Sequence, residues 1–150
     1  MSHSEVNRRQ FLGNSARNAA GMAAGVVGWT GAALAAGTSE RVRVGVIGLR
    51  GQGLELATTL SGLGDVDVAG LCDVDERVLS SAQDALTVRD IRPQGVCDFR
   101  RLLDDQSIDA VVIATPDHWH ASMTLAACEA GKDVYVETPT SHSIAEGAAM

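Results

Sequence analysis

Lysine is almost missing from this 150-residue chain: eleven of its twelve basic residues are arginine, and the one lysine is Lys132. Nineteen acidic residues bring the net charge to −7. That balance excludes a general nucleic-acid binder, which needs a basic footprint. Cysteine is scarce, and its count of three is odd, which excludes a fully paired disulfide scaffold. Aromatic residues make up only 3% of the chain. Glycine is frequent, at 16 residues, but follows no three-residue period, so a collagen-like chain is excluded. The length allows one small globular domain or less.

The first segment reads as an address rather than as part of a fold. Residues Asn7-Arg8-Arg9-Gln10-Phe11-Leu12-Gly13 resemble the twin-arginine export motif, Ser/Thr-Arg-Arg-x-Phe-Leu-Lys, with departures at Asn7 and Gly13. An uncharged run from Ala19 to Ala36 follows, rich in alanine and broken by Gly21, Gly25, Gly28 and Gly31. Its 18 residues approach spanning length, but its hydrophobicity is weak for a transmembrane helix. Ala33-Leu34-Ala35 supplies a small-x-small cleavage pattern, so residues 1–35 are expected to be a signal peptide. The expected location is the periplasm or another extracytoplasmic space. An uncleaved segment would instead anchor the protein to the membrane, and an ordinary N-terminal helix is the plainest alternative. The twin-arginine route exports folded proteins, which suits one that captures a cofactor before export.

From residue 42 the pattern alternates between strand and helix. Val42–Ile47, Val66–Cys72, Val96–Cys97, Ala110–Ala114 and Asp133–Glu137 read as strands. Between them, 54–63, 75–86, a short stretch through Leu103, and 121–130 read as helices, with Asp75 and Asp98 as caps and Gly131 as a stop. Continuous apolar strands separated by helices imply an α/β fold whose parallel sheet is covered on both faces. The expected form is a Rossmann-type doubly wound sheet in the order 3-2-1-4-5. Ser143-Ile144-Ala145-Glu146 is a capping box that opens a further helix only about one turn before Met150. The sheet is therefore expected to be incomplete at its C-terminal end, with 36–150 a truncated N-terminal dinucleotide-binding domain. A separate substrate domain would be missing, leaving a sheet edge and some apolar surface exposed.

The first strand runs into Gly48-Leu49-Arg50-Gly51-Gln52-Gly53 and then a helix, the context in which a glycine loop cradles a pyrophosphate. Arg50 stands where the second glycine belongs, so the backbone can approach a phosphate only if Gly51 takes over the kink. The second strand ends at Asp73, 25 residues after Gly48, placed for the adenosine ribose hydroxyls. That acid favours NAD over NADP, because its charge repels the 2′-phosphate for which Arg50 or Arg77 would otherwise be candidate partners. Asp75 reads first as a helix cap. The fourth and fifth strands end in Thr115-Pro116-Asp117-His118-Trp119-His120 and Glu137-Thr138-Pro139, both at the edge where ligands bind in such sheets.

These motifs, with Cys72-Asp73-Val74-Asp75, Ile108 to Thr115 and Gly131-Lys132-Asp133-Val134-Tyr135-Val136, occur in the order that resembles the N-terminal domain of the Gfo/Idh/MocA oxidoreductases. The resemblance covers about 42–150. It implies nicotinamide-dependent oxidoreduction of sugars, cyclitols or related polyols, with Gly48, Leu49, Arg50, Gly51, Gln52, Gly53, Asp73, Thr115, Pro116, His120 and Glu137 around the cofactor. The intact protein would add a C-terminal domain and could form an oligomer. The family usually ends its fifth strand Glu-Lys-Pro, and the lysine aids catalysis; here Thr138 stands in its place. Threonine has no cationic head to stabilise a developing alkoxide. Lys132 begins the same strand, roughly 17 Å away at about 3.3 Å per residue, so it cannot substitute. The chain is therefore expected to bind NAD without catalysing the usual reaction alone. The alternatives are a fragment of an NAD-dependent glycoside hydrolase on the same scaffold, some of which also lack that lysine, and a non-catalytic vestigial product.

The remaining residues point to structure more than to chemistry. His118, His120 and Asp117 have no further ligand cluster, so no metal is expected. His120 either positions cofactor or substrate or caps its helix. Trp119 reads as packing, His142 as solvent-exposed and Cys128 as core. Cys72 and Cys97 fall on neighbouring strands; a disulfide is conceivable after export, and reduced buried thiols are the expectation after cytoplasmic folding.

Overall fold

The computed structural model describes residues 41–150; the twin-arginine motif and the proposed cleavage site lie outside them. Among the described residues, no helix is long and apolar enough to cross a membrane. Five strands, β1 (Val42–Ile47), β2 (Val66–Cys72), β3 (Gln94–Val96), β4 (Ala110–Ile113) and β5 (Asp133–Val136), form one sheet in the order β3-β2-β1-β4-β5. All four pairings are parallel. The expected fold and strand order are thus present, and β1 lies at the centre where the order reverses direction.

Helices pack on both faces of the sheet, which is why its central strands read as apolar runs, while Asp133 and Tyr135 leave one face of β5 exposed. On one face Val44, Val46, Val68, Leu71 and Val112 pack with helices α1 (Gln52–Leu60) and α2 (Glu76–Thr87), whose Ala57, Leu79, Ala82 and Leu86 are buried. On the other, Ile47, Cys72, Val111 and Ile113 pack with Leu102 and Leu103 of α3 (Arg100–Asp104) and with Met123 and Ala127 of α4 (His120–Glu129). A short helix, α5 (Ile144–Ala149), follows β5, and its capping box forms as expected: Glu146 N–H donates to Ser143 Oγ and Ser143 N–H to Glu146 Oε2.

The short α3 sits close to the sheet because two glycines make room for it. A register shift after Val44 brings Gly45 opposite Gly70, so neighbouring positions on β1 and β2 both lack side chains. Leu102 fills that hollow: a Cβ on Gly70 would stand 2.6 Å from Leu102 Cδ2, and one on Gly45 3.2 Å from its Cδ1. Leu102 is buried, and removing such a side chain from water contributes about 2 kcal/mol.

Four local readings need correction. Cys128 is exposed on α4, because the buried stripe of that helix runs through Met123, Thr124 and Ala127. Trp119 is nearly half exposed, in a 3-10 turn (Asp117–Trp119) that lifts it off the core. Asp98 sits one residue before the α3 cap position, which Phe99 takes; its carboxylate still accepts the Arg100 N–H. The strand expected at Val96–Cys97 ends at Val96, leaving Cys97 exposed while Cys72 is buried. All three thiols are free, and burial, aided by the charge of Asp73, pushes Cys72 up to about 12.

Candidate functional site

The β1–α1 turn is shaped by three glycines with different roles. Gly48 adopts φ +86, and a Cβ there would lie 2.7 Å from the Ala114 carbonyl oxygen, so the end of β4 closes directly over it. Gly53 packs so tightly that a Cβ would overlap the Gly48 carbonyl. Gly51 takes φ +52 and faces open space. The kink has therefore moved from the position of Arg50 to Gly51, which is the condition under which a side chain at 50 leaves the backbone accessible. Gly51 is also the cap residue of α1, and no side chain caps that helix. The Gly53 N–H donates to the Arg50 carbonyl at 3.3 Å, but no side chain accepts from the first turn, so the positive end of the helix dipole is left without a side-chain acceptor, as an anion site requires.

On the β2 side of this turn, Asp73 is buried at 8% exposure. Its Oδ2 accepts the Leu49 N–H at 3.0 Å and its Oδ1 the Asp75 N–H at 3.0 Å. Asp73 thus braces the glycine loop to the end of β2, and each oxygen keeps a lone pair for a further donor. Leu49 is fully engaged within the protein, its side chain in the core and its N–H on Asp73. Asp75 caps α2 as expected, accepting the Arg77 N–H, and also pairs with the guanidinium groups of Arg50 (2.8 Å) and Arg77 (3.3 Å). Arg77 holds the Asp75 carboxyl below its usual range, first by side-chain hydrogen bonding.

On the β4–β5 side, a second cleft is lined by Gln52, Thr115, Asp117, His120, Glu137 and Thr138. Glu137 accepts the Tyr135 phenol at 3.0 Å, and that hydrogen bond raises the Tyr135 pKa. His120 neither caps α4 with its side chain nor faces solvent. It is 2% exposed, with Nδ1 2.7 Å from the Pro139 carbonyl oxygen and Nε2 2.7 Å from that of Thr115. It thereby ties the loop after β4 to the loop after β5. Both oxygens only accept, so a neutral ring satisfies one of them and a doubly protonated ring satisfies both. At the mouth, His142 Nδ1 lies 3.0 Å from Asp117 Oδ2.

The structure brings the expected residues together at one sheet edge: Arg50, Gly51 and Gln52 sit between the two clefts, with Asp73 behind one and Thr115, His120 and Glu137 around the other. Pro116 is exposed beside them. Lys132 is not brought in. It is buried at the opposite edge, where Nζ donates to the Asp105 and Ile108 carbonyls at 2.8 Å each. Among the described residues no cluster of three or more metal-ligating side chains occurs. Sequence reasoning missed Tyr135 and the His142–Asp117 pair. Tyr135 lies two residues from Glu137 on one strand, a spacing that could have signalled it; the 25-residue separation of His142 and Asp117 carried no signal.

A family model described as "Oxidoreductase family, NAD-binding Rossmann fold" (Gfo/Idh/MocA) matches residues 42–150. Among curated proteins, the chain is 33% identical over 113 residues to glycosyl hydrolase family 109 protein 1 of a Shewanella species, covering 71% of this chain and 24% of that protein. It has the same identity and coverage to an alpha-N-acetylgalactosaminidase of Shewanella oneidensis. Among solved structures, myo-inositol 2-dehydrogenase from Lactobacillus plantarum superposes with a TM-score of 0.64 at 27% identity, covering 71% of this chain and 30% of that one. Myo-inositol dehydrogenase from Lactobacillus casei, in complex with NAD(H) and myo-inositol, gives 0.67 at 24% identity, covering 73% and 32%, which bears on fold alone. The chain thus spans about a quarter of the length of these curated relatives and about a third of these solved ones.

The His142–Asp117 pair makes a pH-dependent prediction. Asp117 raises the His142 pKa above 6.5, mainly through the hydrogen bond, and His142 lowers that of Asp117 below 3.8. The histidine's contribution is complete below 6.5 and is lost as pH rises through the raised value; the carboxylate's is present above 3.8 and is lost as pH falls through the lowered one. A proton NMR titration should show His142 titrating above the ordinary histidine value, and Asp117→Asn should lower it, with Glu146 keeping a smaller share of the rise. An unchanged His142 midpoint in Asp117→Asn would contradict the pairing.

Proposed function

The chain belongs to the Gfo/Idh/MocA oxidoreductase family, and on that premise we propose that it is the NAD-binding half of an exported enzyme that acts on sugars, cyclitols or related polyols. The uncapped N-terminus of α1, set between two clefts at the point where the strand order reverses, carries this reading. The residues fit NAD. In our assignment the pyrophosphate lies against the first turn of α1 at Gly51, Gln52 and Gly53, close to the turn built by Gly48, Leu49 and Arg50. The Asp73 carboxylate, already oriented by two N–H groups, accepts from the adenosine ribose. Thr115, Pro116, His120 and Glu137 form the nicotinamide side, where Tyr135 orients the Glu137 carboxylate and His120 holds the two loops at one spacing.

Bound NAD would supply hydride exchange with a substrate carbon. Among the described residues no lysine reaches the β4–β5 cleft, since Thr138 stands where the family usually has one and Lys132 is held by carbonyls at the other edge. We therefore propose that this chain alone binds cofactor without turning over a polyol, and that 36–150 works with a separate substrate domain. A second reading, an NAD-dependent glycoside hydrolase, is favoured by the 33% identity to the two hydrolase relatives. Isothermal titration with NAD should give saturable heat, and incubation with NAD and inositol should give no NADH absorbance. No heat at millimolar NAD would sink the binding reading, and NADH formation would sink the inactivity.

For residues 1–35 the proposal is twin-arginine export through residues 7–13, supported by the Arg8-Arg9 motif and the Ala33-Leu34-Ala35 pattern. Replacing both Arg8 and Arg9 with lysine should leave the protein in the cytoplasm of a host that otherwise exports it. Continued export of that variant would overturn the proposal.

A further inference from the structure

Cofactor choice at the adenosine end depends on which charge a 2′-phosphate would meet there. The cleft on the β2 side, about 480 Å³, is lined by Arg50, Gly51, Asp75 and Arg77 among others. Two arginines at the adenosine end are the usual equipment for a 2′-phosphate, because each guanidinium offers a planar fork to phosphate oxygens. Here both forks are already turned onto one carboxylate: Arg50 NH2 lies 2.8 Å from Asp75 Oδ2, and Arg77 Nε and NH2 each lie 3.3 Å from the Asp75 oxygens. Asp73, by contrast, is buried, and both its oxygens are held by main-chain N–H groups.

We propose that Asp75 excludes the 2′-phosphate alongside Asp73, by occupying Arg50 and Arg77 and placing a second carboxylate between them. This rests on the NAD-binding reading and names the specificity device of that site. A phosphate entering the cleft must displace a carboxylate from two guanidinium groups and then remain beside it. An NAD ribose makes neither demand. The arrangement is poised rather than locked, since both arginines are largely exposed and surface ion pairs of this kind are individually weak. Removing the Asp75 charge would convert the same two arginines into a phosphate site without any change of backbone.

Asp75→Asn is the informative variant, because asparagine keeps the α2 cap while losing the charge. Asp75→Ser, which also caps, serves if the asparagine variant fails to fold. Titrations with NAD, NADP and 2′-AMP, which carries the distinguishing phosphate on the adenosine half alone, should show NADP and 2′-AMP binding tighter by about tenfold in Asp75→Asn, with NAD affinity little changed. Adding Arg50→Gln and Arg77→Gln should abolish the gain. An unchanged NADP-to-NAD ratio and unchanged 2′-AMP affinity in Asp75→Asn would overturn the inference, as would a gain that survives loss of both arginines. If the wild-type chain bound no NAD, the functional reading would fall, while the 2′-AMP comparison between wild type and Asp75→Asn would still decide this inference.

Discussion

The carboxyl edge of the sheet is organised by a contact too close to admit any side chain, that of Gly53 against the Gly48 carbonyl. Because α1 begins there, its first turn is held directly over the end of β1. Because β4 closes over Gly48, the same contact fixes where the loops after β4 and β1 meet. Asp73 completes the arrangement from the β2 side by accepting the Leu49 N–H. The clefts on either side of the turn follow from the strand order. With β2 on one side of β1 and β4 on the other, the connections leave in opposite directions and open a crevice on each flank.

The scarcity of lysine bears on cofactor binding and on catalysis differently. A backbone turn and a helix dipole can hold a dinucleotide without a cationic side chain, and the chain has both. An ammonium is one way to stabilise a developing alkoxide oxygen, and Thr138, where the family usually has lysine, has none. Lys132 serves the fold instead: its ammonium donates to the Asp105 and Ile108 carbonyls, a structural duty at the edge away from the clefts. His120 also serves geometry, tying the loops after β4 and β5 through two carbonyl oxygens.

The fold was largely legible because its signals are local and strong. Apolar strand runs bounded by glycine and acidic caps place β1 and β2 to the residue, and the Ser143–Glu146 capping box forms as its spacing dictates. The weaker readings share a cause. The Gly45–Gly70 hollow depends on a register shift between strands that no single strand encodes. Cys128 departs from its reading because burial on α4 is decided by which stripe meets the sheet, and Trp119 because a 3-10 turn, which the sequence does not signal, carries it off the core. In the site, the cluster itself was legible, since each member follows a strand end. The partners were not: Asp75 reads as a cap, and only the folded loop shows Arg50 and Arg77 turned onto it.

The central claim is that the uncapped first turn of α1, between its two clefts, receives the dinucleotide. Amide chemical shifts followed by NMR during titration with NAD test it most directly. The largest changes should fall on Gly51, Gln52, Gly53 and Leu54, with a second group at Asp73 and a third at Glu137. Saturable changes confined to β3, the outer edge of β5 or the Lys132 end of the sheet, with the amides of residues 51–54 unmoved, would contradict it.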